Sequence, residues 1–243
     1  MTQHQHSNPD HGAAGHSSDS ADAPTDAPTE DVFDRSYWED RYAAPGLTWS
    51  GNPNPVLVEE ASALPPGRAL DIGSGEGGDA IWLAEAGWRV TGVDISSNAL
   101  DKARARAEAV ASSSADRIAW EQYDLTEWAP VPRSFELVSS QFMHLADPAR
   151  TSLFRALAAA VAPGGTLLIV GHDVSEVDER HRGHLAELMF TVDDVLAAIA
   201  DEGLRIEVAE SRERAVSTDG PSHAMSDVVV RASRPHDRDL EAP

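Results

Sequence analysis

Ala69-Leu70-Asp71-Ile72-Gly73-Ser74-Gly75-Glu76-Gly77-Gly78 is the stretch that decides the fold of this chain. A short apolar run ends in Asp71, a glycine turn follows, and Ala80 to Ala86 carries a helical pattern. Strand, tight turn and helix are expected in succession. Glycine allows positive φ and lets the backbone approach a ligand with no Cβ in the way. The helix behind the turn offers unpaired N–H groups. Such a turn after the first strand of an α/β sheet holds a nucleotide cofactor. The glycines alone leave the cofactor open. Gly73, Gly75 and Gly78 satisfy the dinucleotide pattern G-x-G-x-x-G, and the same residues read D-x-G-x-G-x-G from Asp71 to Gly77.

Outward from the turn, Trp88-Arg89-Val90-Thr91-Gly92-Val93-Asp94 reads as the second strand. Its final acid stands about 20 residues after the glycines, where a ribose-binding carboxylate belongs. It is also placed to open the helix that Ser96, Ser97 and Asn98 begin. The third strand, Ile118 to Tyr123, runs into Asp124-Leu125. The fourth, Phe135 to Ser140, runs into Gln141-Phe142-Met143-His144-Leu145. A helix is expected from Pro148 to Val161, with proline suited to its first turn. Pro163-Gly164-Gly165 then turns into a fifth strand, Thr166 to Val170. Asp71, Asp94 and Asp124 thus end three successive strands, the edge at which open α/β sheets bind ligands. Asp124 can equally open a turn. Thr191 is a good N-cap for the last helix, with Phe190 as its staple and Gly203 as its stop. Leu204 to Val208 and Asp227 to Ala232 alternate as two final strands.

D-x-G-x-G-x-G, the second acid and the Pro-Gly-Gly turn together resemble the class I S-adenosyl-L-methionine (SAM)-dependent methyltransferases, over roughly residues 35–233. The resemblance implies one Rossmann-like α/β domain: a seven-stranded, mostly parallel sheet with an antiparallel C-terminal hairpin and helices on both faces. It implies SAM as cofactor and a small-molecule acceptor with an O, N or S nucleophile. Cofactor contacts are then expected from Asp71, Gly73 and Gly75. Asp94 would accept from the ribose hydroxyls, with Ile95 beside it. Asp124 would meet the adenine amino group, the Leu125 N–H a ring nitrogen, and Gln141 the methionine part.

The front end, Trp38-x-x-x-Tyr42 followed by Trp49, is similar to that of thiopurine and tellurite-resistance methyltransferases, in which helix and aromatic loop close over the cofactor. That makes Tyr37, Tyr42 and Trp49 pocket candidates, Trp49 toward the cofactor and Tyr42 toward the acceptor. The same aromatics could instead staple a terminal helix to the core. His144, just after the fourth strand, is the first candidate for a general base. His172, after the fifth, is the second and a substrate contact. Either could be a surface histidine, and a soft acceptor would need no base.

Other classes fit less well. The only lysine is Lys102, with no tyrosine four residues before it, so the Tyr-x-x-x-Lys pair of short-chain dehydrogenases is missing. No Gly-Lys-Ser/Thr P-loop occurs. A SAM-binding sensor or partner subunit without turnover would keep the same three acids and stays open at this level.

A formal net charge of −22 weighs against binding to nucleic acid or to an anionic membrane surface. With no cysteine there is no disulfide framework, thiolate nucleophile or zinc–thiolate site. Residues 1–32 contain no Lys or Arg and few large apolar side chains, so they are expected to be disordered. The domain is expected over 33–233, followed by a frayed tail at 234–243. The histidines at 4, 6, 11 and 16, and the His181-x-x-His184 pair, fit no structural metal site, and no metal is expected. No apolar leader or membrane-length run is seen, so a cytoplasmic protein is expected. Composition leaves the oligomeric state open.

Overall fold

The computed structural model describes residues 33–110, 113–143, 145–174, 184–213 and 226–237. Seven strands form one sheet: β1 (Arg68–Ile72), β2 (Arg89–Asp94), β3 (Ile118–Gln122), β4 (Phe135–Gln141), β5 (Val161–His172), β6 (Arg205–Glu213) and β7 (Ser226–Ser233). Their order is β3-β2-β1-β4-β5-β7-β6. The pairings among β1 to β5 are parallel, and β7 runs antiparallel between β5 and β6. This is the expected mostly parallel sheet with its antiparallel C-terminal hairpin.

The strands sort their side chains by alternation. Leu70, Ile72, Val93, Val138, Leu167 and Ile169 pack on one face, under α5 (Ala149–Ala160) and α6 (Val192–Ile199). Ala69, Val90, Leu137, Leu168 and Val170 pack on the other, under α2 (Pro55–Ala61) and α3 (Gly78–Glu85). Coverage on both faces explains why the central strands read as nearly unbroken apolar runs. α4 (Ser97–Val110) lies against β2 and β3, and α1 (Arg35–Ala43) lies against α4. The same alternation puts Asp71, Asp94, Gln141 and His172 on the α2–α3 face, close to the carboxyl ends of their strands.

Several boundaries differ from the sequence expectation. The helix expected from Pro148 to Val161 runs Ala149–Ala160, because Val161 is already extended and opens β5. β5 therefore includes the Pro-Gly-Gly turn, where its pairing with β4 is irregular between Phe135 and Leu137. The third strand stops at Gln122, so Asp124 stands beyond the strand end. α6 has the expected Thr191 cap, closed reciprocally by Asp194, but gives way to a short 3-10 turn before Gly203. The C-terminal segment, expected to fray from 234, is held as far as 237. The Arg234 guanidinium donates to the carbonyls of Val161, Glu202 and Ala158 at 2.7–2.9 Å. Asp237 pairs with Arg133, and the His236 ring covers Gly164. The tail expected to be disordered, 1–32, lies outside the described residues. Among those residues no helix is long and apolar enough to cross a membrane.

Candidate active site

The glycine turn takes the left-handed geometry that its composition foretells. Gly73 and Gly75 have φ of 68° and 50°. Asp94 braces the turn: one carboxylate oxygen accepts from the Gly75 N–H at 2.8 Å, the other from the Ser96 N–H at 2.9 Å. The cofactor and helix-opening roles considered for Asp94 are therefore compatible in one side chain. Burial raises its pKa.

Two further acids sit behind and beside the turn. Asp71 is buried, and its Oδ2 has no hydrogen-bond partner among the described residues. Burial, and then the charges of Asp79 and Asp94, push its pKa well up. Asp79, in the first turn of α3, accepts from the Asn54 N–H at 2.5 Å and is raised by burial to about 6. Among the described residues no Lys or Arg is paired with Asp71, Asp79 or Asp94.

A front loop is fastened over this turn by side chains from the turn itself, α3 and α4. Buried Glu76 accepts from the N–H groups of Thr48 (2.9 Å) and Trp49 (3.1 Å) and pairs with Lys102 at 3.2 Å. Lys102 also donates to the Gly46 carbonyl at 2.7 Å. Arg106 donates to the Gly51 carbonyl, and Asp79 holds Asn54 as described. The loop thereby brings Trp49 to Tyr42, whose buried hydroxyl accepts from the indole Nε1–H at 2.9 Å. Burial pushes the Tyr42 phenol up to about 12. Arg41 lies 4.7 Å above the half-exposed Trp49 ring.

Glu39 anchors the front helix itself. Its carboxylate accepts from Ser96 Oγ, Ser97 N and Oγ, and Asn98 N, the donors at and just before the start of α4. Burial opposes its ionisation, but the hydrogen bonds win and bring its pKa down to about 2.

The glycine turn, the front loop and the front helix border one cavity of about 1140 Å³. Its wall includes Tyr42, Trp49, Gly73, Gly75, Asp94, Ile95, Asp124, Leu125, Gln141 and His172. Asp124 is folded into an Asx turn, accepting from the Thr126 N–H at 2.9 Å and its hydroxyl at 2.6 Å. Gln141 donates to Ser139 at 3.0 Å, and its Oε1 is buried without a partner among the described residues. His172 faces Asp227 across the β5–β7 ladder. Asp71 departs from the expectation of direct contact: it is not in the wall but beneath the turn. Tyr37 departs too, turning to the Phe33 and Trp38 rings at 4.7 and 5.2 Å while those two rings line the cavity. His144 lies outside the described residues.

Sequence reasoning missed Glu76, Asp79 and Glu39. Glu76 carried a visible signal, as the one charged side chain inside the glycine turn. Glu39 carried none, because its partners stand 57–59 positions away.

The donor set fits SAM. A carboxylate at a strand end suits a pair of ribose hydroxyls, and buried acids without a paired cation favour a cationic ligand. The volume exceeds the ~300–1,000 Å³ of a drug-sized ligand site, leaving room for a second reactant.

Known proteins point the same way. A family model described as a methyltransferase domain matches residues 69–165. Thiocyanate methyltransferase 1 of Brassica oleracea is 30% identical over 177 residues, covering 70% of this chain and 74% of its own length. The probable thiol methyltransferase 2 of Arabidopsis thaliana is 27% identical over 150 residues, covering 60% of this chain and 64% of its own. A solved structure from work on conversion of a disulfide bond into a thioacetal group during echinomycin biosynthesis superposes with a TM-score of 0.62. It is 24% identical, with 85% of this chain and 91% of that one covered, and so speaks for the fold. Strand order, glycine turn, terminal acids and relatives converge: the chain belongs to the class I SAM-dependent methyltransferases.

Proposed function

We propose that the enzyme methylates a small thiol. The observation that carries this reading is the make-up of the cavity beyond the glycine turn. Phe33, Trp38, Phe142, Met143 and Leu145 form an apolar wall there, and His172 and Asp227, with Glu59, Glu187, Arg212 and Glu213, form its polar side. An apolar pocket with a few placed polar groups suits a small, weakly hydrated acceptor. The names of the two plant relatives, a thiol and a thiocyanate methyltransferase, support the same acceptor class. They also favour turnover over the sensor alternative.

SAM supplies an electrophilic methyl group on a sulfonium. The protein's part is placement, exclusion of water and proton removal. Asp94 and Ile95 would take the ribose, Asp124 and Leu125 the adenine, and Gln141 the methionine part. Tyr42 and Trp49, held by Glu76 and Lys102, would close the front against water. The strongly negative chain supports a small-molecule partner over nucleic acid. A cytoplasmic setting, where the methyl donor is available, is the working expectation.

The test is a competition among acceptors. Purified protein is given SAM with matched small thiols, alcohols and amines, and products are read by mass spectrometry. Methyl thioethers formed in step with S-adenosylhomocysteine are expected. Methylation confined to alcohols or amines would overturn the thiol assignment.

A further inference from the structure

His172 ends β5, and Asp227 stands directly opposite it on β7. Residues opposed across an antiparallel ladder project from the same face. Here Nδ1 of His172 lies 3.4 Å from Oδ1 of Asp227, and both side chains line the cavity. The aspartate is nearly enclosed, with 7% of its side chain exposed against 23% for the histidine. On another side the imidazole meets Phe142, ring centres 4.8 Å apart. Phe142 follows Gln141 at the end of β4, so the imidazole is packed against the loop that borders the reacting centre in the reading above. Among the described residues, Arg212 on β6 stands opposite Asp227, Asp173 is next in the chain to His172, and Glu59 on α2 (paired with Arg212), Glu213 and Glu187 line the same cavity.

We propose that His172 is the base that takes the thiol proton, and that Asp227 is the positioning residue that orients it. The proposal rests on the thiol reading. A carboxylate beside Nδ1 favours the tautomer that carries its proton there, which leaves Nε2 as the proton acceptor. The acceptor's S–H proton passes to Nε2 and later to solvent. Its sulfur forms a new S–CH3 bond while the methyl–sulfonium bond of the donor breaks. That bonding pair stays with the departing thioether, S-adenosylhomocysteine, so charge and atoms balance. A separation of 3.4 Å is long for a hydrogen bond, and catalytic hydrogen bonds commonly tighten only in the reactant complex.

The experiment is a pH profile with ethanethiol at saturating SAM, run on the parent, His172→Gln, Asp227→Asn and Asp227→Glu. Thermal melting and S-adenosylhomocysteine affinity are measured for each, to confirm an intact fold and cofactor site. Near pH 7, His172→Gln is expected to lose about 10²-fold or more in kcat/KM for the thiol. Its rate should then climb roughly tenfold per pH unit as thiolate forms in solution, and approach the parent in alkaline buffer. Asp227→Asn should show a smaller loss with the same convergence, and Asp227→Glu should regain part of it. Variant profiles that run parallel to the parent's, or an unchanged rate near pH 7, overturn the base assignment while thiol methylation stands. A parent that forms no thioether overturns the thiol reading and the base assignment together.

Discussion

The hydroxyl of Tyr42 and the backbone of Gly75 face each other so closely that a Cβ on Gly75 would stand 3.0 Å from the phenol oxygen. Gly75 also has φ of 50°, and its N–H is spent on Asp94. Glycine is therefore required for space and for conformation. Gly75→Ala is expected to weaken S-adenosylhomocysteine binding at least tenfold, about 1.4 kcal/mol. Tyr42→Phe in the same background removes the opposing oxygen and should recover part of that loss. Isothermal titration of the parent, both single variants and the double variant checks this, and strictly additive losses would break the link between the two residues.

Asp94 joins the turn to the start of α4 and faces the cavity. Asp94→Asn keeps the shape and removes the charge. It is expected to cost about 1.5–3 kcal/mol of SAM binding, the scale of a hydrogen bond to a charged group. Titration calorimetry reads this directly. An unchanged affinity with a lowered melting temperature would confine Asp94 to bracing the turn.

Glu76 is a buried carboxylate shared by Lys102 and two backbone N–H groups of the front loop. Lys102→Met leaves that carboxylate without its cation, and breaking a buried pair in this way costs roughly 3–5 kcal/mol when burial is complete. Lys102 is partly exposed, so a smaller loss is expected. The cofactor should bind more weakly, and the emission of Trp49 should shift as its loop loosens. Trp38, Trp82, Trp88, Trp120 and Trp128 also emit, so the shift is read as the difference from the same substitution made in Trp49→Phe protein.

Two acids should move stability with pH in opposite senses. Glu39 ionises at about 2 when folded, below its ordinary 4.5. Its contribution is fully present above the ordinary value and is lost as pH falls from there through about 2. Asp79 is raised from 3.8 to about 6. The folded state therefore binds more protons in that window, and stability declines as pH rises from about 4 to about 6. Asp79→Asn is expected to stabilise the free protein above pH 6, on the order of 2 kcal/mol, and to make no difference below the ordinary aspartate range. Thermal melts across pH check both signs.

Much of the site was legible because parallel α/β sheets place ligands at strand carboxyl ends. Asp94, Gln141 and His172 follow from finding the strands and counting their alternation. Asp71, expected as a direct contact, stands outside the cavity wall, because sequence spacing cannot say whether an acid lies in a wall or beneath it. Glu76 within the glycine turn and Asp79 just after it carry no spacing that announces a partner, yet they hold the front loop at Thr48, Trp49 and Asn54. Glu39 was invisible because its role is created by tertiary packing of α1 on α4. Residues 234–237 look like a polar tail, yet the Arg234 guanidinium satisfies three carbonyls of the body.

The most direct measurement incubates the protein with SAM labelled in its methyl group and a panel of small thiols, with S-adenosylhomocysteine and thioether quantified together by mass spectrometry. One labelled methyl thioether per S-adenosylhomocysteine is expected, with the yield sharply reduced in Asp94→Asn. Tight binding of S-adenosylhomocysteine with no labelled thioether from any thiol would contradict the assignment of this cavity as a thiol methylation site.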